Sequence, residues 1–189
     1  MRAIQYERAA MSYFRHFVIL VIVLLQAERA SADVLDARSD GFTVSQSVLI
    51  KASRNDVYRV AVTDVGKWWS DAHTMSGDAS NMYIEARPQG CFCEALGDSG
   101  GVVHMTVSFV NPAVILRLSG GLGPLGLMGV YGNMTWEFDD SDDGTIVTWK
   151  YAVGGYLPQG LEQIAPAVDG VLTDQLNSLK RFIESRAGN

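Results

Sequence analysis

Few side chains in this sequence carry obvious chemistry, and Glu94 and His104 are the pair most worth placing. They lie on two predicted strands joined by the glycine-rich turn 97–101. Pairing Leu96 with Val102 sets Glu94 opposite His104. A carboxylate beside an imidazole orients the ring, and inside a cavity the two could move a proton. On an outer face they would be a solvated cross-strand pair of little energetic weight. Register decides, because a slip of one residue exchanges the faces. The alternation of Val103, Met105, Val107 and Phe109 aims those four at the core and His104 at solvent.

Two further patterns suggest chemistry at first sight. Cys91 and Cys93 are the two cysteines of the chain. In a strand, residues i and i+2 share a face with α-carbons about 6.5–7 Å apart, at the edge of bridging geometry. A disulfide is possible but strained, and two small buried hydrophobes are the expectation. With His73 and His104 the cysteines match no standard zinc spacing, so no metal site is expected. Gly121-Leu-Gly-Pro-Leu-Gly126 spells a dinucleotide fingerprint. That mechanism needs a strand before the loop and a helix opening at the third glycine. Here a strand follows, so the segment reads as an apolar loop. Leu122, Leu125, Leu127 and Met128 either cap one mouth of a cavity as a flap or plug the end of the core. No serine sits in a nucleophile elbow.

The elements that must position these groups are mostly strands. Residues 41–50 alternate Phe42, Val44, Val48 and Ile50 against Thr43, Ser45 and Ser47, a strand with one buried face. Ser53 and Asp56 open a short helix in the manner of a capping box. A second helical turn ends at Trp68 and Trp69, and 70–80 reads as a polar loop. Strands follow over 82–86, 91–96, 102–110, 113–119, 130–138 and 145–153, joined by tight turns that imply antiparallel pairing. From Ala165 the apolar residues Val168, Val171, Leu172, Leu176, Leu179, Phe182 and Ile183 recur at three and four, one face of a long helix. A sheet with one apolar face needs a cover, and this helix is the available one.

The first 32 residues read as a secretory signal peptide. Arg2, Arg8 and Arg15 precede an apolar run over 17–27, and Ala30-Ser31-Ala32 is a small-x-small cleavage site. The run is short of the roughly 20 residues a bilayer requires. Translation from Met11 would leave a shorter signal of ordinary form. Residues 33–40 are polar and expected to be loose, and 41–187 form one domain. Without its leader the chain loses four of 15 basic and two of 21 acidic residues, leaving a net charge of −8. An exported acidic domain is a poor partner for nucleic acid or anionic membranes, and no stable membrane insertion is expected after cleavage.

The succession of elements resembles the SRPBCC superfamily, whose helix-grip fold is shared by START and birch-pollen-allergen-like proteins. The resemblance is carried by Val48-Leu-Ile-Lys-Ala-Ser-Arg-Asn-Asp-Val-Tyr58, Lys67-Trp-Trp69, Pro88-Gln-Gly-Cys-Phe92, the Pro112 turn before Ile115-Leu-Arg-Leu118, Thr135-Trp-Glu-Phe138, Gly144-Thr-Ile-Val-Thr148 and the last helix. It covers about residues 42–185 and looks most like the AHSA-like and polyketide-cyclase-like branch. It implies an α+β domain: a curved antiparallel sheet of six to seven strands around the C-terminal helix, with two short helices after the first strand. It also implies a cavity between sheet and helix for a hydrophobic or aromatic small molecule. No cofactor is implied, and the Rieske ligands of oxygenase relatives are absent. The export signal separates the chain from cytosolic co-chaperone members. Alternatives are a cyclase- or hydrolase-like enzyme, with Glu94, His104 or His73 transferring protons, and a partner-binding scaffold. Candidate ligand contacts are Trp69, His73, Glu94, His104, Leu125, Met128, Tyr131, Trp149, Tyr151 and Gly170, the last because small residues early in the helix leave room. Catalytic residues and oligomeric state stay open.

Overall fold

The computed structural model describes residues 31–187; all of the expected signal peptide except Ser31 and Ala32 lies outside the described residues. Eight strands form one antiparallel sheet in the order β1-β2-β8-β7-β6-β5-β4-β3. They are β1 Ser31–Arg38, β2 Gly41–Ile50, β3 Met82–Ile84, β4 Cys91–Leu96, β5 Gly100–Asn111, β6 Ile115–Gly120, β7 Gly129–Ser141 and β8 Gly144–Tyr156. Helices α1 Arg54–Thr63 and α2 Val65–Trp68 follow β2, and α3 Ala165–Ala187 closes the domain. This is the helix-grip α+β architecture, with one strand more than expected.

The extra strand is β1, and it corrects the expectation that 33–40 is loose. Its described side chains are exposed, so periodicity does not reveal it. Backbone pairing to β2, from Asp33 opposite Ser45 to Arg38 opposite Gly41, orders it instead.

Alternation holds where the ladder is regular. In β2, Phe42, Val44, Gln46, Val48 and Ile50 point inward without interruption. In β7 and β8 the inward set includes Met134, Trp136 and Phe138, paired against Tyr151, Trp149 and Val147. Trp136 and Trp149 stack with ring centroids 4.5 Å apart, and Trp68 packs on both.

Alternation fails in β5. Phe92 faces Met105 but Cys93 faces Val103, so His104 is an extra residue in the ladder. A bulge of this kind bends the strand and re-aims a side chain. His104 and Met105 both turn inward, while Val103 is 64% exposed. A second irregularity between Val107 and Phe109 turns Phe109 outward, under the Arg117 guanidinium. The expectation that Val103 and Phe109 face the core with His104 outside is overturned. Only Met105 and Val107 of that set are buried.

The neighbouring strand bends at the same place. Cys91 and Cys93 have α-carbons 5.4 Å apart, closer than a regular strand allows, and are joined by a disulfide. This corrects the expectation of two unbridged cysteines.

Helix α3 lies across the sheet with Leu172, Leu176, Leu179 and Ile183 buried. Its C-terminal half is fastened by polar contacts. The Lys180 ammonium donates to the Leu49 carbonyl (2.6 Å), and the Glu184 carboxylate accepts from the Lys51 amide (3.0 Å). Arg186 reaches Asp64 beyond the end of α1 at 2.9 Å. Leu179 is fully buried among these fastenings. Leu179→Ala is therefore expected to lower stability by about 2–5 kcal/mol, measured by chemical denaturation.

Candidate functional site

Where α3 is less tightly fastened, a cavity opens. It measures about 320 Å³ and lies between the sheet, the N-terminal part of α3 and two loops. That falls at the small end of ligand pockets, which run from roughly 300 to 1,000 Å³. Helix α3 and the turn before it supply Ile164, Ala167, Val168, Val171 and Leu172. Segment 72–75 forms a second wall and segment 122–128 a third. His104 and Tyr151 line it from the sheet.

Both loops are tied down by buried polar groups. Glu94 is fully buried and projects to the same side as His104. Its carboxylate accepts from the Met75 amide (2.9 Å), from the Ser76 amide, and from His104 Nε2 (2.9 Å). Glu94 is not opposite His104 in the ladder; it faces Val102, and the bulge brings the two side chains together. Burial alone would raise the carboxyl's pKa. The hydrogen bonds from Ser76, the Met75 amide and His104 outweigh that and lower it from 4.5 to about 2. Glu94 thus stands as an anion that holds the 75–76 backbone against the sheet.

Tyr151 performs the matching task for the other loop. Its hydroxyl donates to the Gly120 carbonyl (2.9 Å) and accepts from the Leu122 amide (3.2 Å). Burial pushes its pKa up to about 12, so it stays a neutral phenol. Between β6 and β7 the chain makes a 3₁₀ turn, Gly123–Leu127, with Leu125 turned in and Leu127 exposed. The turn then enters strand β7. The glycine fingerprint has no helix behind it, as the sequence led one to expect.

Six expected contacts border this cavity: Trp69, His73, His104, Leu125, Met128 and Tyr151. Glu94 stands behind His104. Three do not belong to the cavity wall. Trp149 is locked in the aromatic core against Trp136 and Trp68. Tyr131 is 60% exposed on the far side of β7. Gly170 faces outward, where an added Cβ would meet nothing within 4 Å. Gly170 was expected to make room inside because it is small, but its angular position on α3 sets its direction. Val168, Val171 and Leu172 hold the inward positions.

Sequence reasoning missed two buried amides that support the site. Gln46 occupies an inward position of β2 and donates to Asp169 on α3 (2.7 Å). Gln175 lies on the buried face of α3 and accepts from the Ser70 amide (3.0 Å), at the start of the loop that forms the second wall. The available signal was a polar residue at an apolar phase of each element.

A curved sheet gripping a helix over an apolar cavity defines a helix-grip, SRPBCC-type domain. Residues 41–184 match the family described as polyketide cyclase/dehydrase and lipid transport, and the chain belongs to that family. Among solved structures it is similar to an uncharacterized protein from Rhizobium leguminosarum, with 18% identity and a TM-score of 0.60 over 79% of this chain and 99% of that one. It is also similar to CalU16 from Micromonospora echinospora, with 15% identity and a TM-score of 0.52 over 82% and 83%. A third similar structure is the Aha1 dimer from Colwellia psychrerythraea, with 15% identity and a TM-score of 0.54 over 75% and 96%. At these identities the likeness is one of fold. No curated protein matches the sequence.

Glu94→Gln keeps the shape but removes the anion. It is expected to cost about 1.5–3 kcal/mol at neutral pH, the range for hydrogen bonds to a charged group, and to speed amide exchange at Met75 and Ser76. Because the folded pKa lies below the ordinary 4.5, Glu94's contribution is complete above about pH 5. It fades as the pH falls toward 2. The stability gap between wild type and variant should therefore close over that window, followed by denaturation at each pH.

Proposed function

We propose that this is an exported protein that binds an apolar or aromatic small molecule in the cavity under the N-terminal part of α3. The cavity carries the reading. Thirteen of its eighteen lining residues are Ala, Val, Leu, Ile, Met, Trp or Pro on α3, the loops and β3, and it has room for a compact ligand. A filled interior would have favoured a partner-binding scaffold. Export is supported by the leader pattern in the sequence and by the Cys91–Cys93 disulfide, a bond characteristic of oxidising compartments.

Titration with 1-anilinonaphthalene-8-sulfonate tests the binding reading. Saturable fluorescence enhancement is expected in the wild type. Val171→Phe, which projects a ring into the cavity, should weaken it by about ten-fold, the effect of some 1.4 kcal/mol of lost affinity. Undiminished probe binding in the variant would place the site elsewhere, and no binding in either protein would count against the reading. For export, N-terminal sequencing of protein recovered from the source's extracytoplasmic fraction should begin at Asp33. An unprocessed chain in the cytoplasm would refute it.

A second reading is favoured by one observation. His104 borders the cavity with the Glu94 anion behind it, the arrangement a proton-transfer enzyme would use. Turnover of a bound ligand that is lost in His104→Gln would support the enzyme; unchanged recovery of every ligand tried would support the carrier.

A further inference from the structure

The cavity wall holds few polar side chains, and most of their hydrogen-bonding capacity is already used. The Trp69 indole N–H donates to the His73 carbonyl (3.0 Å). The Thr74 hydroxyl donates to the Asp71 carbonyl (2.8 Å). The Tyr151 hydroxyl both donates and accepts within the 120–122 turn. His73 is exposed at the rim. His104 differs from all of these. It is only 4% exposed and borders the cavity, and its Nδ1 is buried without a hydrogen-bond partner among the described residues.

A buried polar atom left unpaired is unfavourable, and such an atom calls for an explanation. The identity of this one follows from its neighbour. An ionised carboxylate only accepts, so Glu94 requires a proton on His104 Nε2. In the neutral ring that leaves Nδ1 with a bare lone pair. The Phe92 ring, 5.9 Å away, offers it no donor. The lone pair needs a donor that the described residues do not supply, at the border of a cavity otherwise suited to apolar groups.

We propose that His104 Nδ1 is the polar anchor of the cavity and accepts a hydrogen bond from a hydroxyl on an otherwise apolar, ring-containing ligand. Glu94 is the positioning residue that selects the tautomer and holds the ring. The ligand class is then a phenol, enol or alcohol on a hydrophobic skeleton, rather than a pure hydrocarbon or an anion. This rests on the reading of the cavity as a ligand site.

Isothermal titration with 2-naphthol, 2-methoxynaphthalene and 2-naphthoate separates the two readings. In wild type, 2-naphthol should bind about ten-fold more tightly than 2-methoxynaphthalene, the range of one neutral hydrogen bond. In His104→Phe that preference should vanish while 2-methoxynaphthalene still binds. In ¹⁵N-histidine-labelled wild type, the Nδ1 resonance of His104 should move upfield on adding 2-naphthol. Equal binding of naphthol and methoxynaphthalene would overturn the anchor and leave the cavity reading intact. Tighter binding of 2-naphthoate would overturn it in favour of a doubly protonated ring that donates. Failure of all three to bind would overturn both readings. If His104→Phe does not fold, the resonance in wild type decides, and an unmoved Nδ1 overturns the anchor.

Discussion

The site depends first on one buried anion. Glu94 has no contact with solvent, and a carboxylate is costly to bury unless its oxygens are occupied. Two backbone amides and an imidazole occupy them. The cost of burial therefore specifies the structure around it. Segment 75–76 must come to the sheet, and His104 must turn to the same side. Remove the carboxylate, and two backbone donors and a ring nitrogen lose their partner together. A group with so many dependants fixes geometry more strongly than an apolar residue of similar size.

The bulge in β5 is the backbone counterpart of that arrangement. One inserted residue lets His104 and Met105 point inward in succession, which a regular strand forbids. The Cys91–Cys93 disulfide spans Phe92, next to the same irregularity in β4. The strands on both sides of the bulge thus depart from ideal pleating at one place, and that place borders the cavity. Bulges are frequent beside functional sites for this reason: they re-aim a side chain without disturbing the rest of the sheet.

Helix α3 divides into two regions of different character. Its C-terminal half is packed by Leu176, Leu179 and Ile183 and fastened through Lys180, Glu184 and Arg186. Its N-terminal half meets the cavity through Ala167, Val168, Val171 and Leu172. The C-terminal half packs directly on the sheet, while the N-terminal half, held by the Gln46–Asp169 and Ser70–Gln175 hydrogen bonds, borders open space. The polar groups of Trp69 and Tyr151 contribute in the same way, since they hold loops and leave their apolar rings to the cavity.

Local pattern determined most of the architecture. Period-two alternation in β2, β7 and β8 and period-three-to-four spacing in α3 record burial directly, because each side chain's face follows from its position in a regular element. The helix-grip order, the inward face of β2 and the helix from Ala165 were legible for that reason. Strand β1 was not, because its exposed side chains carry no pattern and its order comes from pairing with a segment several residues on. The direction of His104 was not, because a one-residue bulge is set by the partner strand and leaves no mark in β5's own alternation. The cavity was expected but its outline was not. Gly170 and Tyr131 face away and Trp149 belongs to the core, while Ile164, Val171 and Leu172 form the wall. Local periodicity tells a residue which side of its own element it takes. Only the tertiary fold decides what stands on that side, because that depends on contacts between residues far apart in the chain.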